Sequence, residues 1–177
     1  MKLIRGVAIA VASVTLGIAI GYAASKGPTL IELNAGKPAK EAGLAMLAEA
    51  ERLAGTGTWE LIAVGRIYYL SGDKERAQLL FDKATSGKPD AGNWQRVAAV
   101  WEEIGDKAKA EECYQKALVL MGPKDDTGQA DVGAWFIRSG RRAKGEELLT
   151  RAMQRSPNEI WHYVRASEAL LGLPPGR

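Results

Sequence analysis

From Thr58 onward, small and apolar residues recur at steps of three and four, in blocks that close on a glycine. Leu61, Val64, Gly65 and Tyr68 make one such stripe, a spacing that puts them on one face of a helix. Gly72-Asp73 interrupts it, and Ala77, Phe81 and Ala84 form a second stripe beyond the break. The skeleton returns as Trp94, Val97, Ala98, Trp101, Gly105-Asp106, Ala110, Tyr114 and Ala117. A third copy carries Val132, Gly133, Phe136, Gly140, Gly145, Leu149 and Ala152, with Gln129 departing from the apolar slot of Leu61 and Trp94. The turn glycines are 33 and 35 residues apart. In every copy a small residue precedes the turn glycine by seven, and another follows it by five. A repeat of this length predicts one pair of antiparallel helices per copy. The glycine can adopt the left-handed conformation that stops a helix, and the small residues let two helices approach closely.

The flanks follow the same pattern less completely. Ala42, Leu44, Leu47, Ala48 and Leu53 predict a helix from Pro38 to about Ala54, closed by Gly55 and Gly57. Gly43, Leu47 and Ala50 stand 34 residues ahead of Ala77, Phe81 and Ala84, so this helix reads as the second half of a degenerate repeat. Ser25 to Pro38, with Gly27, Pro28, Asn34 and Gly36, reads as a connection in which Thr29 to Leu33 can pack only locally. After Pro157, Trp161 and Val164 keep the apolar slots of a fourth copy, while Arg165 and Glu168 replace its small and aromatic residues. That predicts a capping helix with Asn158 as its N-cap and a polar outer face, stopped by Gly172 and Pro174-Pro175.

At the start of the chain, Gly6 to Ala24 is a run of 19 uncharged residues behind Lys2 and Arg5. Two readings stand: an uncleaved transmembrane anchor, which the length favours, or a cleavable signal peptide. The basic start places the rest of the chain outside the cytoplasm. Ser13, Gly17 and Gly21 lie four apart, a spacing that would also suit contact between two membrane helices.

The three copies resemble the tetratricopeptide repeat (TPR) family over about Thr58 to Pro157, because many slots agree in all of them. Arg141 departs from the Asp that follows the turn glycine in the first two. The resemblance implies an all-α fold: a right-handed superhelical stack of helix-turn-helix repeats, behind an N-terminal transmembrane or signal helix. The organisation expected is 1–25 anchor or signal, 26–57 linker and half-repeat, then repeats over 58–90, 91–125 and 126–157. A capping helix over 158–172 and a tail over 173–177 complete it. In this family the first helix of each pair lines a concave groove that holds a peptide or helix of another protein. Here that face is expected to carry Trp59, Ile62, Arg66 and Tyr69, then Gln95, Ala99 and Glu102, then Ala130, Ala134 and Ile137, with His162 on the capping helix. Trp59, Arg66 and Tyr69 have the chemistry of binding hot spots. The Lys/Asn/Arg clamp by which some members hold a chaperone C-terminus is missing: Ile62, Arg66 and Thr127 occupy slots that need Lys, Asn and Lys.

Composition narrows the function classes. The net charge is +3, of which Lys2 and Arg5 supply two, so no basic stripe marks a nucleic-acid binder. Arg138, Arg141, Arg142, Lys144, Arg151 and Arg155 make the third copy the most basic, with two charges in excess over its four acids. The single cysteine, Cys113, excludes an intrachain disulfide, and the single histidine, His162, has no second His or Cys for metal ligation. No nucleophile motif or phosphate-binding glycine loop occurs. The expectation is a non-enzymatic adaptor without cofactor or metal, in the bacterial inner membrane with its domain in the periplasm, or secreted there after cleavage. Members of the family with such anchors serve envelope assembly and cytochrome maturation. Its partner would be another protein, with the membrane held through residues 6–24. The alternative is a self-assembling, membrane-tethered structural component, a homo-oligomer with no groove ligand.

Overall fold

A computed structural model of the protein describes residues 29–176. The apolar run of residues 6–24, and with it the anchor or signal, lies outside the described residues. Among them there are nine helices and no strand. The chain divides into two compact units, 1–46 and 47–177.

The described part of the first unit holds α1, Leu30–Asn34, and the start of α2, Ala39–Ala54. The connection expected around Thr29 to Leu33 is a short helix because Thr29 and Glu32 form a capping box. Thr29 Oγ1 accepts from Glu32 N at 3.2 Å, and Glu32 Oε2 accepts from Thr29 N at 2.6 Å. Pro38 stands just before α2, its carbonyl accepting from Ala42 N. Of the apolar positions read into α2, Ala42 and Leu47 are buried while Leu44 and Leu53 are exposed.

The second unit contains three helix pairs and a single last helix. The pairs are α3 with α4 (Thr58–Ser71, Lys74–Ala84), α5 with α6 (Ala91–Ile104, Lys107–Leu120) and α7 with α8 (Asp126–Arg138, Arg142–Arg155). The last helix is α9, Ile160–Leu170. Each pair turns through the same closure. Gly72, Gly105 and Gly140 have φ of 104°, 89° and 90°, and two backbone bonds lock each turn. In the first, Gly72 N donates to Tyr69 O and Asp73 N to Tyr68 O, the 5→2 and 6→1 bonds of a Schellman motif. Asp73 and Asp106 then cap the following helix by accepting from Arg76 N and Lys109 N. Arg141, in the same slot of the third pair, makes no cap bond and instead pairs with Glu111 of α6.

The small residues sit where the helices of a pair meet. Ala77, Ala98, Ala110, Ala117 and Ala152 are fully buried. A Cβ on Gly145 would lie 2.4 Å from Gly133 O, and one on Gly65 would lie 2.8 Å from Phe81 Cε1. Between pairs, aromatics fill the remaining space: Trp101 meets Phe81 and Tyr69 edge-on at 5.3 Å, and Trp135 meets Tyr114 at 4.7 Å. Cys113 is buried in this core, and burial pushes its thiol up to about 11, leaving it unreactive near neutral pH.

The last helix differs from the sequence expectation in two ways. It starts at Ile160, and its N-cap is Glu159, which accepts from Trp161 N, not Asn158. Its outer face is not polar: Ile160, Tyr163, Leu170 and Leu171 are exposed. Arg165 and Glu168 turn inward, where Arg165 Nε donates to Asp131 on α7 at 2.9 Å and Arg165 Nη1 donates to Glu168 at 3.1 Å.

The Gly133–Gly145 contact makes a direct prediction. Gly145→Ala should destabilise the protein by about 1–3 kcal/mol, because the new methyl meets backbone atoms that can yield only if the helices separate. Urea unfolding followed by circular dichroism measures this; a loss below about 0.5 kcal/mol would show that the contact is not tight.

Candidate functional site

The first helices of the pairs pack side by side, α3 against α5, α5 against α7, and α7 against α9. Their shared face carries two adjoining recesses. The larger, about 890 Å³, has Arg66, Ala99, Glu102, Glu103 and Arg138 along its floor and residues Gly172–Gly176 along one wall. The second, about 540 Å³, is lined by Trp59, Gln95, Arg96, Ala99, Arg138 and Pro175, among others.

The structure distributes the expected groove residues unevenly. Trp59 is 57% exposed, with the Arg96 guanidinium stacked 3.6 Å from its ring centroid. Arg66 is half-buried and forms a two-pronged pair with Glu103, through Nε to Oε2 at 2.6 Å and Nη2 to Oε1. That hydrogen-bonded pair raises the Arg66 pKa. Tyr69 lies half-buried with its ring edge-on to Trp101. Gln95 Nε2 donates to Gly128 O at 3.1 Å. Glu102 accepts from Arg138 Nε at 2.7 Å, from Arg138 Nη2 at 3.2 Å and from the Tyr114 hydroxyl at 3.2 Å. Burial, and then Glu102, push the Tyr114 phenol upward.

Of the remaining positions, Ala134 borders the second recess and Ala130 and His162 border a smaller one beside α9, while Ile62 and Ile137 border none of these. Ile62 is 4% exposed and belongs to the core with Val97 and Val100, because the side-by-side packing of α3 and α5 covers the edge of the stripe. Ala130 and Ala134 are also buried. His162 is 1% exposed, and neither ring nitrogen has a protein partner. Ile137 is half-buried against the small cluster of Ala130, Leu149 and Ala152.

Sequence reasoning did not single out Glu103, Arg138 as a site residue, or the segment after α9. Arg138 has its side chain only 12% exposed and its Nη1 without a partner, and it borders both recesses. The signal available was the polarity of Arg165 and Glu168 in slots where the repeat puts small and aromatic residues. The basic excess of the third copy is taken up by ion pairs. Arg138, Arg141, Arg142, Arg151 and Arg155 pair with Glu102, Glu111, Glu146, Glu147 and Asp126, and Lys144 lies 4.1 Å from the Phe136 ring centroid. The Ser156 hydroxyl and then Arg155 hold Asp126 below the usual carboxylate range.

Among the described residues, no group of three or more His, Cys, Asp and Glu is placed to hold a metal. Among them, too, no helix is long and apolar enough to cross a membrane. Among the described residues, repeated helix pairs, glycine closures and buried small residues define an all-helical arrangement of tetratricopeptide-like fold. A crystal structure of MamA, a TPR-containing protein, is similar to this chain with a TM-score of 0.50 and 16% identity, over 75% of this chain and 78% of that one. No family model matches the chain, and no curated protein matches it in sequence.

The two ion pairs of the recess floor differ in burial, so they should differ in worth. A double-mutant cycle on Arg138→Met and Glu102→Leu should give a coupling of about 1–3 kcal/mol. The more exposed Arg66 and Glu103 should give about 0.2–1 kcal/mol. Equal couplings from urea unfolding would remove burial as the cause.

Proposed function

We propose that the chain is a protein-interaction scaffold, without catalytic activity, whose groove along α3, α5 and α7 holds a segment of another protein. The observation that carries this reading is the joined pair of recesses on that face, with Trp59 exposed at one end and the unpartnered Arg138 Nη1 between them. An aromatic and a guanidinium supply large contact area and directional donors, the usual anchors of protein recognition. Trp59, Arg66, Gln95 and Glu102 form the contacting set, while Tyr69 and Ile137 border neither recess. Ile62 and His162 support it from the core. The apolar run behind Lys2 and Arg5 supports a membrane tether with the repeats outside the cytoplasm, in a cell-envelope assembly or maturation process.

Crosslinking of the full chain in its native membrane, followed by mass spectrometry, should capture a partner that is lost in Ala99→Arg. Ala99 is exposed and borders both recesses, so the substitution blocks the groove without touching the core. Capture that is unchanged in this variant, with unfolding also unchanged, would refute the groove.

The exposed Ile160, Tyr163 and Leu170 on α9, with Leu171 just beyond its end, favour a second reading, assembly of copies through that face. Light scattering should then report an oligomer of the full chain in detergent that Ile160→Glu with Leu171→Glu returns to monomer. A monomer in both proteins would end this reading.

A further inference from the structure

The chain leaves α9 by the same closure that ends α3, α5 and α7. Gly172 has φ of 69°, Gly172 N donates to Ala169 O at 3.2 Å, and Leu173 N donates to Glu168 O at 2.8 Å. At the three earlier closures the next residues start a second helix. Here Pro174 and Pro175 follow, and two prolines remove the backbone donors and favour extended backbone instead. The segment turns back to α9: Gly176 N donates to Glu168 Oε1 at 3.1 Å, and Arg165 Nη1 donates to Gly176 O at 3.4 Å. Arg165 and Glu168, the polar replacements in the fourth copy, thus hold this segment.

Its position matters more than its bonds. Gly172 to Gly176 walls the larger recess, and Pro175 also borders the second. Pro175, Ala99 and Arg138 are common to both, so the segment crosses the inner face where the two recesses meet. An extended chain running along α3, α5 and α7 would meet Pro175 at that point. We propose that residues 172–176 are a built-in occupant of the groove, and that an extended, proline-containing peptide of a partner binds by displacing them. The proposal rests on the groove reading above and adds its regulation and the class of its ligand. Held to α9 through Gly172, the segment competes at an effective concentration on the order of millimolar or more. The groove is therefore open to a partner for only part of the time. Arg138, which borders the same two recesses as Pro175, has a buried Nη1 without a protein partner, a donor left for a carbonyl of the incoming chain once the segment is displaced.

The test uses the full chain, isotope-labelled for nuclear magnetic resonance, and the synthetic peptide Gly-Leu-Pro-Pro-Gly-Arg as probe. A variant with Leu173→Ser, Pro174→Ser and Pro175→Ser should bind the peptide about tenfold or more tightly than the parent, because the competent fraction rises. Equal affinity would overturn the occlusion. Weaker affinity would overturn it as well, since the segment would then be clamping the ligand. Ala99→Arg added to the variant should abolish binding; binding that persists would put the peptide elsewhere and refute the proposal. The peptide Gly-Leu-Ser-Ser-Gly-Arg should bind the variant about tenfold more weakly or worse, an effect of about 1.4 kcal/mol. Equal binding would overturn the ligand class. Partner capture by the parent chain that remains sensitive to Ala99→Arg would preserve the groove reading even if the occlusion failed. Capture that is insensitive to Ala99→Arg would end the groove reading by itself.

Discussion

The closeness of the two helices in each pair is the constraint on which the rest depends. Where Gly133 faces Gly145, the backbones approach so nearly that a methyl has no room, and alanines hold the corresponding contacts at Ala77, Ala98 and Ala110. With the backbones so close, the space between one pair and the next is left to large side chains. Phe81, Trp101, Tyr114 and Trp135 fill it and meet one another at the tilted or edge-on angles that aromatic rings prefer. Small residues within pairs and large residues between them are two sides of one packing solution. The glycine closures serve it by returning the chain at a fixed angle.

This division explains what could be read from the sequence. Contacts within a pair recur at constant offsets, so Gly72, Gly105, Gly140 and the buried alanines stood out from the spacing alone. Side chains on the shared inner face answer to a different rule. Whether Ile62 is exposed depends on how α3 lies against α5, and no offset within one repeat contains that information. The same holds for His162, Ala130 and Ala134. Position in the stripe placed Trp59 and Arg66 on the correct helix, but only the folded chain brings Arg66 to Glu103 and Arg138 to Glu102. The outer face of the last helix differs from expectation for a related reason: Arg165 and Glu168 are polar because they meet Asp131 and Gly176, not because they face water.

The recess floor is polar, yet its charges are largely balanced across helices. Glu102 serves Arg138 and Tyr114 together, so a single carboxylate ties α5 to α6 and to α7. Such a floor keeps its side chains in place without a ligand, which lowers the ordering cost of binding one. It also means that charge alone does not mark the site. On this face Trp59 is exposed and one nitrogen of Arg138 has no protein partner.

The guanidinium pairs Arg66–Glu103, Arg138–Glu102 and Arg165–Asp131 join residues 37, 36 and 34 apart, about one repeat in each case. A chain wired in this way behaves as a row of links, each answerable to its neighbour. Under load, or on mild heating, it should shorten from an end, giving up one pair of helices while those further in persist. The closures make each lost pair easy to regain, because the contacts within a pair are near in sequence and those to its neighbour span about one repeat. Wear at one end therefore need not reach the inner face at the other.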